Sequence, residues 1–301
     1  MTATTTSPQK ASRRPLLRRR EAIAGIVFVL PATLLFLVWR VFPVLGGFII
    51  SLGDFKISGK FDFLGLDNFE RMVNSGAFWQ SFFTTVIYTV IVVPLLMTVS
   101  ISLALLVRRV GPFIKFFRGA FFIPSITSLV LAGAVFVWVF NSGGIVPTIW
   151  SFFGGDERSW LAKPGFALVA VILVAVWGRF GFDLLIVLAR LQDLPREVDE
   201  AARVDGVNGW QHFWFITFPQ LRPILLFLLV IETTFSFQVF DVVFVMTGGG
   251  PSGSTKVLGL LLYDEAFRLF HFGYAAAIGV SMAILLVAIA LIQRAVLDKG
   301  D

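Results

Sequence analysis

Long apolar runs alternate with short polar intervals along this chain. A helix needs about 20 mostly apolar residues to cross a bilayer, and six runs meet that length, near 22–42, 82–107, 119–140, 165–189, 222–246 and 273–293. The pattern predicts an all-α integral membrane protein with six transmembrane helices over 21–297, preceded by a basic, Thr/Ser-rich tail at 1–20 that reads as disordered. Basic residues ahead of an apolar run also suit a signal peptide. The first run, however, exceeds the roughly 7–15 apolar residues of a signal core and reads as a retained span. Pro31, Pro94 and Pro124 fall inside or at the ends of runs. Each removes a backbone donor, so neighbouring helices or polar side chains must satisfy the freed carbonyls.

The longest charged interval between two apolar runs is 190–221. Pro195 suits a first helical turn, and Glu197, Asp199 and Glu200 complement the positive end of a helix. Gly206 can take the left-handed conformation that stops it. Asn208 can then cap a second segment, Gly209 to Phe218, which Pro219 and Pro223 bring to an end. Two adjacent small residues, Ala201 and Ala202, let another protein's surface approach this helix closely, which makes it a candidate docking helix.

Charge decides which side the interval occupies. With the N-terminus inside, sixteen Lys and Arg fall on the cytoplasmic side and eight outside. The positive-inside rule therefore places both termini and the docking interval in the cytoplasm. The outer loops, about 43–81, 141–164 and 247–272, are rich in Gly, aromatics and mixed charge, and too short to form a domain. A chain that is 57% hydrophobic and only 15% charged is not a soluble globule. Without cysteine it has no disulfide, thiolate metal site or thiol nucleophile. The net charge of +6 does not point to nucleic acid, because no basic surface is interleaved with stacking aromatics.

Glu200-Ala201-Ala202, then Gly206, Ile216 and Phe218-Pro219, resembles the EAA loop of ATP-binding-cassette (ABC) importer permeases, with Phe218 standing where that pattern has leucine. Gly65-Leu66-Asp67-Asn68-Phe69, Phe240-Asp241 ahead of Met246 to Pro251, and Phe272-Gly273-Tyr274-Ala275-Ala276 resemble permeases of the maltose-type carbohydrate importers. The resemblance implies the type I importer (MetI-like) fold. It also implies a non-catalytic permease subunit of an ATP-driven importer for a sugar, polyol or glycerophosphodiester. Its partners would be a second homologous permease, two ATPase subunits and an extracytoplasmic solute-binding protein, all in membrane lipid. The chain would hold no cofactor, ATP being bound by the ATPases, and Glu200, Ala201, Ala202, Asp205 and Gly206 would make the docking contact.

Other candidate chemistry is sparse. The run Gly248 to Thr255 lacks the Gly-Lys-Ser/Thr ending of a phosphate cradle. It reads as an outer loop that meets a solute-binding protein, or as a plain turn. His212 and His271 fall on opposite sides of the membrane, share no metal and read as interfacial polar residues; no metal site is expected. Arg179 and Asp183 lie four apart in the fourth span, on one helical face, and Glu232 lies in the fifth. At about 1.5 Å per residue, Arg179 and Glu232 come to matching depth, which predicts a buried Arg179–Asp183–Glu232 cluster. It is either a structural ion pair or part of a solute path. Thr234, Gln238 and Asp241 follow i, i+4, i+7 spacing and are assigned to the translocation pathway, opposite Glu232 and Ser236. An ion-coupled transporter or channel using Asp183, Glu232 and Asp241 is the alternative, though the docking interval would then have no purpose; a non-transporting scaffold is a third.

Overall fold

The computed structural model describes residues 14–108 and 113–297. Its six membrane-length helical segments are Glu21–Ser51, Gly76–Val107, Leu129–Phe152, Phe166–Gln192, Gly209–Met246 and Phe272–Ala295. Every apolar run thus has its span. Most of the predicted tail, residues 1–13, lies outside the described residues, and helix has already begun at Arg14.

Three boundaries differ from the pattern. The first span runs on to Ser51 rather than stopping near residue 42, because Pro43 lies in the first turn of Phe42–Ser51, where a missing N–H costs little. What remains of that outer loop is ordered. Gly53–Phe55 pairs antiparallel with Phe61–Phe63, a short helix covers Asp67–Val73, and Asn68 Nδ2 donates to the Ser51 and Gly53 carbonyls at 3.1 and 2.9 Å. The third run is two helices, Ile114–Ile126 and Leu129–Phe140, separated by an extended Thr127 three residues after Pro124. The fifth span stops at Phe237 and restarts at Asp241. Neither Gly nor Pro lies at that break. Packing imposes it: a Cβ added to Gly259 would sit 2.7 Å from the Val239 carbonyl oxygen, so the outer-loop helix Leu258–Tyr263 rests directly on the broken backbone.

The fourth span, Phe166–Gln192, is the centre of the bundle and the most buried of the six. On its outer half Val171, Val174 and Ala175 pack with Tyr88, Val92, Phe140, Val242 and Met246. On its inner half Leu184, Val187, Leu188 and Leu191 pack with Ala104, Val107, Leu221, Leu225 and Leu228. Gly181 permits the closest approach, since a Cβ there would fall 2.1 Å from the Phe121 carbonyl oxygen. By contrast, residues 21–40 of the first span are exposed throughout, and only the outer end of that span packs, against the sixth.

Candidate functional site

Two places gather the residues singled out by sequence, one at the cytoplasmic end of the bundle and one within it. The first is the connection between spans four and five. A helix covers Arg196–Val204. Asp205 N donates to the Ala201 carbonyl and Val207 N to that of Ala202, both at 3.0 Å, while Gly206 sits at φ +72°. This is the left-handed termination that glycine tolerates without strain. Two residues on, Asn208 and Gln211 form a reciprocal capping box, with Gln211 N to Asn208 Oδ1 at 2.9 Å and Asn208 N to Gln211 Oε1 at 3.2 Å. A stretch of π-helix, His212–Thr217, leads without a break into Phe218–Phe237. The connection is therefore capped where it turns and, from Gly209, continuous with the fifth span.

The five docking candidates do not share one environment. Glu200, Ala201, Asp205 and Gly206 are exposed, whereas Ala202 is buried. Sequence reasoning gave the two alanines the same role; only Ala201 is open to a partner. It also missed Val204 and Trp210, large apolar side chains that stand exposed beside them. Just above, Arg190 Nε donates to the Gln220 carbonyl at 3.2 Å, which ties the ends of spans four and five together.

The second place is at membrane depth. Arg179 holds Glu232 in a bidentate grip, Nε to Oε2 at 2.7 Å and Nη2 to Oε1 at 2.5 Å. Glu232 is 0% exposed and the Arg179 side chain 25%. The guanidinium also lies over the Phe235 ring, 4.1 Å from its centroid. Asp183, one turn towards the cytoplasm from Arg179, is fully buried beside this pair, and neither of its oxygens accepts a donated hydrogen among the described residues. The three residues are thus brought together, with one bidentate bond and one carboxyl left over.

Arg179 also faces a cavity of about 290 Å³ whose polar lining includes Tyr88, Ser236, Gln238 and Asp241, with Phe235 and Phe240 among its apolar walls. The continuous helical face assigned to Thr234, Gln238 and Asp241 does not exist, because the helix ends at Phe237 and the i, i+4, i+7 rule lapses beyond it. Gln238 and Asp241 reach the cavity through the break. Thr234 does not line it, and its hydroxyl donates to the Val230 carbonyl within its own helix at 2.8 Å. Ser236, placed by periodicity on the opposite face, lines the cavity instead. Tyr88, Phe235 and Phe240 were not foreseen, since no pattern separates three cavity aromatics from the many that face lipid.

On the outer side, the glycine loop closes on itself. Thr255 Oγ1 lies 2.8 Å from Thr247 Oγ1 and donates to the Gly250 carbonyl at 2.7 Å, so its polar groups face inward rather than cradling an anion. Lys256 and Arg268 both pair with Asp264, at 2.7 and 3.0 Å, and fix the loop's far end. His271 pairs with Glu265 in this outer loop, and His212 lies near Thr217 at the other end of the bundle. Among the described residues no group of three or more His, Cys, Asp or Glu could hold a metal ion.

Residues 111–300 match the family of binding-protein-dependent transport system inner membrane components. The chain is 33% identical over 288 residues to the lactose transport system permease protein LacF of Rhizobium radiobacter, spanning 93% of this chain and 96% of that one. It is 32% identical over 278 residues to the trehalose/maltose transport system permease protein MalF of Thermococcus litoralis, spanning 92% and 94%. Its fold is that of a chain from a crystal structure of a bacterial ABC transporter involved in import of the acidic polysaccharide alginate, with a TM-score of 0.83 at 22% identity over 95% of this chain and 99% of that one. Six membrane-length helices in this arrangement and a match over most of the sequence lead to one assignment: the chain is a multi-pass membrane permease with the MetI-like fold and belongs to the binding-protein-dependent ABC importer family, in its maltose-type, carbohydrate-uptake branch.

Proposed function

We propose that this chain is the translocation subunit of an ATP-driven importer for a sugar or related hydroxylated solute, and that it works as a lever. It pairs with a second homologous permease and receives solute from an extracytoplasmic binding protein. Two ATPase subunits hold the nucleotide and seat the helix Arg196–Val204, and both termini are cytoplasmic. When the ATPases close, the helix moves as a body and the attached spans shift from inward-open to outward-open. Nucleotide must favour one of these states over the other, or nothing is driven. Solute passes the cavity bordered by Gln238 and Asp241.

The observation that carries this reading is the hydrogen-bonded, capped turn that joins this helix to the fifth span. A short helix, ended at Gly206 and joined through a four-residue turn and a capping box to the fifth span, offers Glu200, Ala201 and Asp205 outward. A flexible loop there would dissipate the motion. The test is co-purification together with uptake in the assembled transporter. An ATPase subunit should accompany the chain, and Ala201→Glu should separate ATP hydrolysis from uptake. Solute movement by the purified chain alone, driven by an ion gradient, would overturn the proposal in favour of an ion-coupled carrier.

A further inference from the structure

The cavity at the break in span five carries a definite charge pattern, and the inference from it rests on reading that cavity as the solute path. Two formally charged side chains line it, Arg179 and Asp241. They are not equivalent. The Nε and Nη2 donors of Arg179 are spent on the buried Glu232 carboxylate, which offsets its charge, and one face of its guanidinium is covered by Phe235. Asp241 is exposed and forms no ion pair among the described residues. The remaining polar lining, Tyr88, Ser236 and Gln238, is neutral.

We propose that this wall is a charge filter. The charge of Arg179 is offset by Glu232 while that of Asp241 has no partner, so the path takes neutral hydroxylated solutes and turns away uronates, sulfonates and phosphates. An anionic group would meet a repelling carboxylate. Arg179 Nη1 can still donate to such a group, but the charge of Arg179 is already offset by Glu232. Taking that cation over would strip a fully buried glutamate of its partner, which the low-dielectric interior opposes. This choice is a real one within the fold, since the lactose and trehalose/maltose relatives are named for neutral sugars and the structural neighbour imports an acidic polysaccharide. It also sets aside the glycerophosphodiester class that the sequence resemblance allowed.

The chain has no cysteine, which permits a direct test. Gln238→Cys is introduced in the complete transporter, with partner subunits also made cysteine-free. Its modification rates are then measured with neutral, cationic (trimethylammonioethyl) and anionic (sulfonatoethyl) methanethiosulfonates, each normalised to a free thiol. A full charge about 6 Å away in water shifts such a rate by about threefold for either sign, so the cationic reagent should lead the anionic one by about tenfold. Adding Asp241→Asn should bring the ratio close to one. Adding Glu232→Gln with Asp183→Asn, which leaves the guanidinium charge without a counter-ion, should bring the ratio down towards one, and combining these with Asp241→Asn should turn the preference towards the anion. An anionic preference in the Gln238→Cys chain, or a ratio that Asp241→Asn does not change, overturns the filter while the path reading stands. A thiol silent even to the neutral reagent removes both.

Discussion

Arg179→Ala and Glu232→Gln break the same ion pair, yet the structure predicts unequal damage. Removing one partner of a buried pair costs about 3–5 kcal/mol, because the survivor is left charged and unpaired in a poor solvent. Arg179→Ala leaves two carboxyl groups, Glu232 at 0% exposure and Asp183 fully buried, with no cation between them. The full penalty should apply. At about 2–4 °C per kcal/mol for a chain of a few hundred residues, the melting temperature of the purified transporter should fall by about 10 °C, and folded yield should fall with it. Glu232→Gln is different. Arg179 keeps a neutral hydrogen-bond acceptor at position 232, and Asp183 waits one helical turn away as a replacement anion. Its cost should be about 1.5–3 kcal/mol, the range for a hydrogen bond to a charged group.

The assay is a thermal shift of the solubilised complex, read by loss of monodisperse protein on size exclusion, for wild type, both single variants and Arg179→Met with Glu232→Leu. The double apolar variant should lie within about 1–2 kcal/mol of wild type, since replacing both members of a buried pair is often near neutral. If Arg179→Ala melts like wild type but transport is lost, the pair is not structural and Arg179 serves the solute directly. If Glu232→Gln proves worse than Arg179→Ala, Asp183 is not the reserve partner and the reasoning fails.

Gly206→Val should cost about 1–2 kcal/mol in the connecting helix, because a β-branched residue resists φ +72° even though no neighbouring atom opposes its Cβ; ATPase activity persisting while uptake falls would show it. Asn208→Ala removes one half of the capping box and should cost about 1 kcal/mol, read as faster hydrogen exchange across 208–217 with other segments unchanged. Gly181→Ala drives a methyl to 2.1 Å from the Phe121 carbonyl oxygen; overpacking of this kind costs about 1–3 kcal/mol, and a stable, fully active variant would contradict the packing described. In the outer loop, the Lys163 ammonium 2.7 Å from Asp156, helped by the Arg158 backbone N–H, holds that carboxyl below the ordinary carboxylate range. A carboxyl lowered in the folded state helps order its loop above the unfolded pKa and loses that help as pH falls through the folded one. Proteolysis within 153–165 should therefore rise in acid, and Lys163→Ala should raise it already at neutral pH.

Much of this was legible in the sequence because lipid leaves few choices. A backbone in hydrocarbon must satisfy itself, so six apolar runs had to become six spans, and the Gly206 and Asn208 signals are local enough to survive any tertiary context. The depth match between Arg179 and Glu232 followed from helix rise alone. Periodicity failed at residues 238–240, where the helix is interrupted by Gly259 pressing on the Val239 carbonyl, a contact between positions twenty apart that no local rule contains. The place of Ser236 and the grouping of Thr234 with Gln238, both inferred from an unbroken face, changed with it, whereas Gln238 and Asp241 still line the cavity. The unequal burial of Ala201 and Ala202 was equally hidden, since adjacent small residues look alike until one face of their helix is covered.

The position of that break bears on how a push at the cytoplasmic end could reach solute. From Gly209 the fifth span runs without interruption to Phe237. It is pinned to the fourth by Arg190 to the Gln220 carbonyl, by the Leu184, Leu188, Leu221 and Leu228 packing, and by Arg179 to Glu232. Spans four and five are therefore bound into one hairpin, and a displacement entering the fifth span at Gly209 is carried by continuous helix to the break about 40 Å away at roughly 1.5 Å per residue. Rigidity ends where Gln238, Val239 and Phe240 depart from the helix, which is where the cavity wall is made. On the proposed reading, the segment able to change shape is the one that borders solute, and the ion pair lies on the last turns below it. Weakening that pair should then blunt the coupling of hydrolysis to uptake even where the chain still folds. Measured at a temperature where Glu232→Gln is fully folded, fewer solute molecules should cross per ATP hydrolysed. A wild-type ratio would mean that the hairpin transmits motion without it.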